Sequence, residues 1–259
     1  MIFFLAGTSD ARELAVKLQE AGRPVTASVV TQNASIELEA AGISTRVGRL
    51  SADEMTSVLD KDYTAVVDAS HPFAEEASRN AIEAARQAGI PYIRFERAGT
   101  QIVEHSLVTR VDTYEEAAEA ALERGGVVLL TTGSKTLQAF TEKLLPRTDI
   151  RLIARMLPRT DNMEKCAALG LPQKNIVAMQ GPFTKEFDLA LYRHYSVTTT
   201  VMKESGAIGA VAEKIEAAVS LGIETIVISR PPVQYPNQCE QFDQVIHILN
   251  RLEETKHGL

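Results

Sequence analysis

Polar and cationic side chains follow short apolar runs at intervals along this chain, and those junctions hold most of the residues that could do chemistry. The first is Gly7-Thr8-Ser9, after the apolar run 2–6 and before a stretch with helical spacing. A glycine there lets backbone approach a ligand, and the unbonded N–H groups at a helix start attract an anion. Thr8 or Ser9 also suits a helix N-cap, so an anion cradle and a capped tight turn are two open readings. The second junction is Asp68-Ala69-Ser70-His71-Pro72-Phe73-Ala74. Pro72 suits a first helical turn and Ser70 an N-cap, which leaves His71 where a ligand would lie. Asp68 reads either as a buried turn-maker or as a cofactor contact. Ser70 and His71 are chain neighbours whose side chains point apart, so no Ser-His-Asp triad follows.

A third junction, Thr132-Gly133-Ser134-Lys135, repeats the pattern of the first. Lys135 places a positive charge at a predicted helix N-terminus, where the dipole disfavours it. That points to an anionic ligand or to a solvated lysine. Gln180-Gly181-Pro182-Phe183, Lys203-Glu204-Ser205-Gly206 and Arg230-Pro231-Pro232 close three further runs. Arginine is dense at Arg147, Arg151, Arg155 and Arg159, with Arg94 and Arg97 earlier. Guanidinium groups pair bidentately with carboxylates, so these mark a polyanionic ligand or ordinary surface charge. The five histidines (His71, His105, His194, His247, His257) have no ligand spacing, and Cys166 and Cys239 stand far apart. Neither a protein-bound metal nor a disulfide framework is expected.

The elements that must position these junctions alternate between short β-rich runs and helical stretches. Such alternation predicts βαβ units and parallel sheets covered on both faces, with ligands beyond the carboxyl ends of the strands. The pattern stumbles between Glu96 and Asp112. The expectation is therefore an α/β protein of two Rossmann-like parallel-sheet units with a cleft between them. An N-terminal cofactor-side domain would span 1–98, a connecting segment 99–111, and a C-terminal substrate-side domain 112–259. Helices are expected over 73–88, 135–144 and 207–221 among others. The end of the second strand reads Thr31-Gln32-Asn33, without the acid that usually holds a ribose diol, which leans toward NADPH without excluding NADH.

Composition narrows the classes. The 259 residues carry a formal net charge of −7 and 5% aromatic residues without tryptophan, which argues against a nucleic-acid binder. No apolar run is long enough to span a membrane and no secretory leader is readable, so a cytoplasmic location is expected.

Taken in order, the junctions resemble the precorrin-6A reductase family of cobalamin biosynthesis, including the form that acts on cobalt-precorrin-6A. The carrying residues are Gly7-Thr8-Ser9-Asp10-Ala11, Asp68-Ala69-Ser70-His71-Pro72-Phe73-Ala74, Tyr92-Ile93-Arg94 with Glu96-Arg97, and Thr132-Gly133-Ser134. They continue with Arg155-Met156-Leu157-Pro158, Gly181-Pro182-Phe183, Lys203-Glu204-Ser205-Gly206 and Arg230-Pro231. The likeness covers nearly the whole chain. Ser9 and Ser70 stand where Thr is expected, and Glu204 sits in a variable slot.

The resemblance implies reduction of one macrocycle double bond by NADPH or NADH, giving the 6B form. It implies His71 and Ser70 at the reacting edge. Gly7, Thr8, Ser9, Asp68, Pro72, Thr132, Gly133, Ser134 and Lys135 would meet the cofactor. Arg94, Arg155, Gly181, Pro182, Phe183, Lys203, Ser205, Gly206 and Arg230 would meet the polycarboxylate tetrapyrrole. Hydride transfer needs neither a protein nucleophile nor a protein-bound metal. Transient contact with other enzymes of the pathway is the partner expectation, and nucleic acid and membrane are not expected. Two other classes compete: a non-catalytic tetrapyrrole or nucleotide binding protein, and a precorrin methyltransferase, which the missing glycine-rich run after the first strand disfavours.

Overall fold

A computed structural model describes residues 1–59, 62–99, 104–204 and 210–257. The chain divides into two compact units, Met1–Ala98 with Pro231–Leu259, and Gly99–Arg230. Each is an α/β unit around one six-stranded, all-parallel sheet.

In the first unit the strands are β1 (Ile2–Ala6), β2 (Val25–Val29), β3 (Ser44–Val47), β4 (Ala65–Ala69) and β5 (Tyr92–Phe95), completed by β12 (Gln238–Cys239). Their spatial order is β3-β2-β1-β4-β5-β12. This is the doubly wound order that places its switch point between β1 and β4. Helices α1 (Ser9–Glu20), α2 (Gln32–Glu39), α3 (Ala52–Leu59), α4 (Glu75–Ala88) and α10 (Phe242–His257) cover the sheet. Right-handed crossovers reverse direction at the switch point, so helices fall on both faces. One core packs Phe4, Val67 and Ile93 against Leu14, Leu18, Val245 and Leu249. The other packs Phe3, Leu5 and Val66 against Met55, Leu59, Ala81 and Ala84. Burial on both faces explains why β1 and β4 are apolar throughout except at Asp68.

The second unit holds β6 (Val108–Val111), β7 (Gly126–Leu130), β8 (Ile150–Met156), β9 (Ile176–Ala178), β10 (Thr199–Lys203) and β11 (Glu224–Ile228) in the order β6-β11-β10-β7-β8-β9. Its helices are α5 (Tyr114–Arg124), α6 (Leu137–Leu144), α7 (Thr160–Ala168), α8 (Lys185–Tyr195) and α9 (Ala210–Ser220). Read from β7, this is the same winding, with a switch point between β7 and β10. Only the sixth strand differs in origin. In the first unit it comes from the chain's end; in the second it precedes the rest.

That difference corrects two expectations about the domains. The stretch 231–259, expected in the C-terminal domain, completes the first sheet. Arg94 N–H donates to Asn237 C=O at 2.7 Å and Glu96 N–H to Cys239 C=O at 2.9 Å, while Phe242 packs on Phe95. The expected connecting segment contains β6, whose Arg110 and Val111 pair with Val227 and Ile228. Helix starts also move inward. α4 begins at Glu75 rather than 73, and α6 at Leu137 rather than 135.

Candidate active site

The β1 and β4 exits of the first unit meet at its switch point. A Cβ on Gly7 would stand 2.7 Å from His71 N and 3.1 Å from Ser70 Cα. Both are backbone atoms that no rotamer change can move, so glycine is what lets the two strand exits touch. Thr8 caps α1 by accepting from Ala11 N–H at 3.1 Å. Bonding within the helix begins with Arg12 N–H to Thr8 C=O at 3.4 Å, so the amides of Ser9 and Asp10 precede the ladder. Ser9 is exposed and Thr8 partly so. The Arg97 guanidinium, just past β5, reaches the Asp10 carboxylate at 3.0 Å and lies over the Phe242 ring. A cation and the carboxylate that pairs with it therefore stand at the start of α1, which opens just after Gly7. These residues fit the diphosphate of a dinucleotide.

Asp68 is a different matter. Its carboxylate is fully buried and accepts from Ser70 N–H (2.9 Å), Ser78 Oγ (2.7 Å), Tyr92 Oη (2.7 Å) and Arg94 (3.0 Å). Burial alone would raise this carboxyl, but Arg94 and the hydrogen bonds outweigh it and hold it below the usual carboxylate range. Every oxygen is engaged from within the protein, so the expected cofactor contact is corrected to a turn-maker. Arg94 is corrected likewise. Its side chain is 0% exposed, and it bridges Asp68 to Glu96 (2.6 Å) while donating to Ser70 Oγ at 3.1 Å. No surface remains for a substrate carboxylate. Ser70 serves that network and does not cap α4, whose N-cap is Ala74 without a side-chain bond.

His71 is partly exposed at the β4 exit. Its Nδ1 accepts from Phe73 N–H at 3.2 Å, so the ring proton belongs on Nε2. A second ring proton would break that bond.

The second unit builds a comparable junction. Gly133 adopts φ +80°, a left-handed conformation that suits glycine. Thr132 is 6% exposed, and its Oγ1 has no hydrogen-bond partner among the described residues. Ser134 Oγ donates to Asn162 Oδ1 at 2.5 Å. Lys135 is exposed and stands before α6 rather than inside it. Lys203, the last residue of β10, lies 5.2 Å from the Tyr114 ring centre. Burial first and Lys135 second push its ammonium down to about 8. Two lysines thus flank the β7/β10 switch point.

Arg155 is corrected as Arg94 was. It is buried, pairs with Asp188 at 2.5 Å and stacks 4.2 Å from the Phe183 ring centre. Lys214 of α9, which the sequence reading missed, is lowered by burial and by Arg155. It lies mid-helix, where spacing gives no signal. Gly181 and Pro182 are exposed beside Phe183, which stacks on Phe187. Arg230 Nε donates to Glu204 C=O at 3.1 Å, and the Glu204 carboxylate holds Arg110. Ser205 and Gly206 lie outside the described residues. Among the described residues no group of three or more His, Cys, Asp or Glu could hold a metal ion, and no helix is long and apolar enough to cross a membrane.

The family model for precorrin-6x reductase CbiJ/CobK matches residues 1–250. The chain belongs to this family. It is similar to the cobalt-precorrin-6A reductase of Priestia megaterium, 60% identical over 250 residues that cover 96% of this chain and 98% of that one. A cobalt-precorrin-6A reductase of Methanothermobacter thermautotrophicus is 38% identical over 96% of this chain and 84% of its own. Among solved structures, CobK precorrin-6A reductase superposes with a TM-score of 0.77 at 27% identity, covering 97% and 96% of the two chains. The protein is an oxidoreductase of cobalamin biosynthesis, of the type that reduces a double bond of the macrocycle.

Proposed function

We propose that this chain reduces one double bond of cobalt-precorrin-6A with NADH or NADPH, giving the 6B form. The 60% identical relative carrying that name supports the cobalt complex as substrate. The observation that carries the reading is the close approach of Gly7 to the Ser70–His71 backbone at the switch point of a doubly wound sheet.

In this reading the first unit takes the dinucleotide. The amides of Ser9 and Asp10, with Arg97, hold the diphosphate, and Gly7 admits it close to the backbone. Thr8 fixes the start of α1, and Pro72 and His71 border the reacting edge. Reduced nicotinamide supplies the hydride when it is bound. His71 acts as a hydrogen-bond donor through Nε2, while Ser70 positions the turn through Arg94. With Nδ1 engaged by Phe73, the proton that completes the reduction comes from water rather than from His71.

The second unit takes the tetrapyrrole. Lys203, Lys135 and the Thr132 hydroxyl receive a ring carboxylate beside Gly133, and Ser134 fixes that loop through Asn162. Gly181, Pro182 and Phe183 offer an apolar wall backed by Arg155, and Arg230 holds the β10 exit. Ser205 and Gly206 are assigned to the same ligand by family resemblance. The reaction belongs in the cytoplasm, with transient hand-over from the enzymes before and after it. Anaerobic mixing of protein, cobalt-precorrin-6A and each dinucleotide tests the reading. One dinucleotide should be oxidised per macrocycle bleached. Binding without oxidation would make the protein a carrier instead.

A further inference from the structure

The β2 exit of the first unit lacks the strand-end acid that usually meets a ribose diol, yet a carboxylate is present nearby. β2 ends at Val29, and Thr31 Oγ1 caps α2 by accepting from Ala34 N–H at 3.3 Å. One turn into α2, Glu37 accepts from Asn33 Nδ2 at 3.1 Å and from Arg12 at 3.1 Å. Arg12 sits in the opening turn of α1, next to the Ser9 and Asp10 amides. The pair therefore links the opening turn of α1 to the second turn of α2, the helices that follow β1 and β2. In this strand order the adenosine ribose of a dinucleotide lies between those two exits. A second observation marks the same place. Val30, just after β2, is 57% exposed, and Val47, which ends β3, is 42% exposed. Val47 is the register partner of Val29, so the two apolar side chains belong to neighbouring strand exits and suit the face of a purine.

We propose that Arg12 and Glu37 set which nicotinamide dinucleotide the first unit accepts, Arg12 favouring a ribose 2′-phosphate and Glu37 opposing it. The inference rests on the placement of the cofactor in the first unit. The chemistry is a competition for one guanidinium. Arg12 and Glu37 are about half-exposed, at 48% and 52%, and an ion pair so open to solvent is held weakly enough to exchange. A 2′-phosphate adds about two negative charges. It gains the planar donor fork of Arg12 only by displacing Glu37 and then sitting beside that carboxylate. A free 2′-hydroxyl carries no such penalty and can donate to Glu37. The two side chains thus pull the preference in opposite directions, and Asn33 holds Glu37 toward Arg12.

Calorimetric titration of the full chain with adenosine 2′,5′-bisphosphate and with 5′-AMP reads this without turnover. The panel is wild type, Glu37→Gln, Arg12→Gln and Ser9→Glu, and KM values for NADPH and NADH accompany it. Glu37→Gln should shift the ratio of the two Kd values about tenfold toward the bisphosphate, and Arg12→Gln about tenfold away, the size of one charge-assisted contact. Ser9→Glu should weaken both ligands by similar factors. If both pair variants keep the wild-type ratio while Ser9→Glu weakens both ligands, the selectivity role is overturned and the cofactor placement stands. If Ser9→Glu also leaves both unchanged, the placement in the first unit falls and the selectivity role with it.

Discussion

Replacing Arg94 separates two roles that this side chain could have. As a substrate anchor, Arg94→Met would leave a stable enzyme with a raised KM. In the structure Arg94 is instead the buried counter-charge of Asp68, and both side chains are wholly inaccessible. Removing one partner of such a pair typically costs about 3–5 kcal/mol, because the other charge stays buried. Asp68 would keep its bonds from Ser70 N–H, Ser78 and Tyr92, so the low end, about 3 kcal/mol, is expected. The pH dependence gives a sharper signature. In the wild type the Asp68 carboxyl lies below its unfolded value, so its stabilisation is complete above the usual carboxylate range and is lost as pH falls through the lower folded value. Without Arg94, burial is opposed only by the three hydrogen bonds, so the same carboxyl moves up from its wild-type position. The native variant then binds more protons than native wild type as pH falls, so its deficit against wild type shrinks on acidification. Urea unfolding followed by far-ultraviolet circular dichroism at several pH values reads both effects. Wild-type stability combined with a raised KM would refute this role and restore the substrate anchor.

Three further outcomes follow from the same geometry. Gly7→Ala should cost about 1–3 kcal/mol by pressing a methyl group on the β4 backbone, and should raise the dinucleotide KM, with thermal unfolding and initial rates as the readouts. Thr132→Val should gain about 1 kcal/mol by removing a buried hydroxyl without a partner, yet weaken substrate binding about tenfold. A variant that gained stability with unchanged KM would take Thr132 out of the binding site. Substrate affinity should fall as pH rises through about 8, where Lys203 loses its charge. That break belongs in the kcat/KM profile, which reports the free enzyme, and Lys203→Met should abolish it.

The fold was legible where local pattern and tertiary role agree. The buried runs at β1, β4 and β7 are apolar on both faces and end in glycine or a small polar residue, so strand, exit and helix are readable together. The sixth strand of each sheet was not, although the opposite edges, β3 and β9, read as strands from their sequence. β12 is Gln238-Cys239, two residues without an apolar pattern, and it exists because Arg94 and Glu96 amides need partners on that side of the sheet. β6 is half-exposed, and its four residues read as part of a connector. Nothing local tells a chain that its last segment completes its first sheet.

The site was legible as a set of junctions but not as roles. Gly7, Thr8, His71, Thr132 and Lys203 do stand at strand exits. Which charged groups face a ligand depends on partners distant in sequence. Arg94 and Arg155 look like anchors until Asp68, Glu96 and Asp188 are found beside them. Glu37 hides for the converse reason. A carboxylate one turn into a helix reads as solvated surface until Arg12 is seen across from it.

Amide hydrogen exchange with and without saturating dinucleotide reads whether the cofactor lies, as proposed, at the β1 and β4 exits of the first unit. Slowed exchange is expected at Ser9, Asp10 and His71, with the loop 131–136 unchanged. Slowed exchange confined to 131–136 would place the cofactor in the second unit and contradict that proposal.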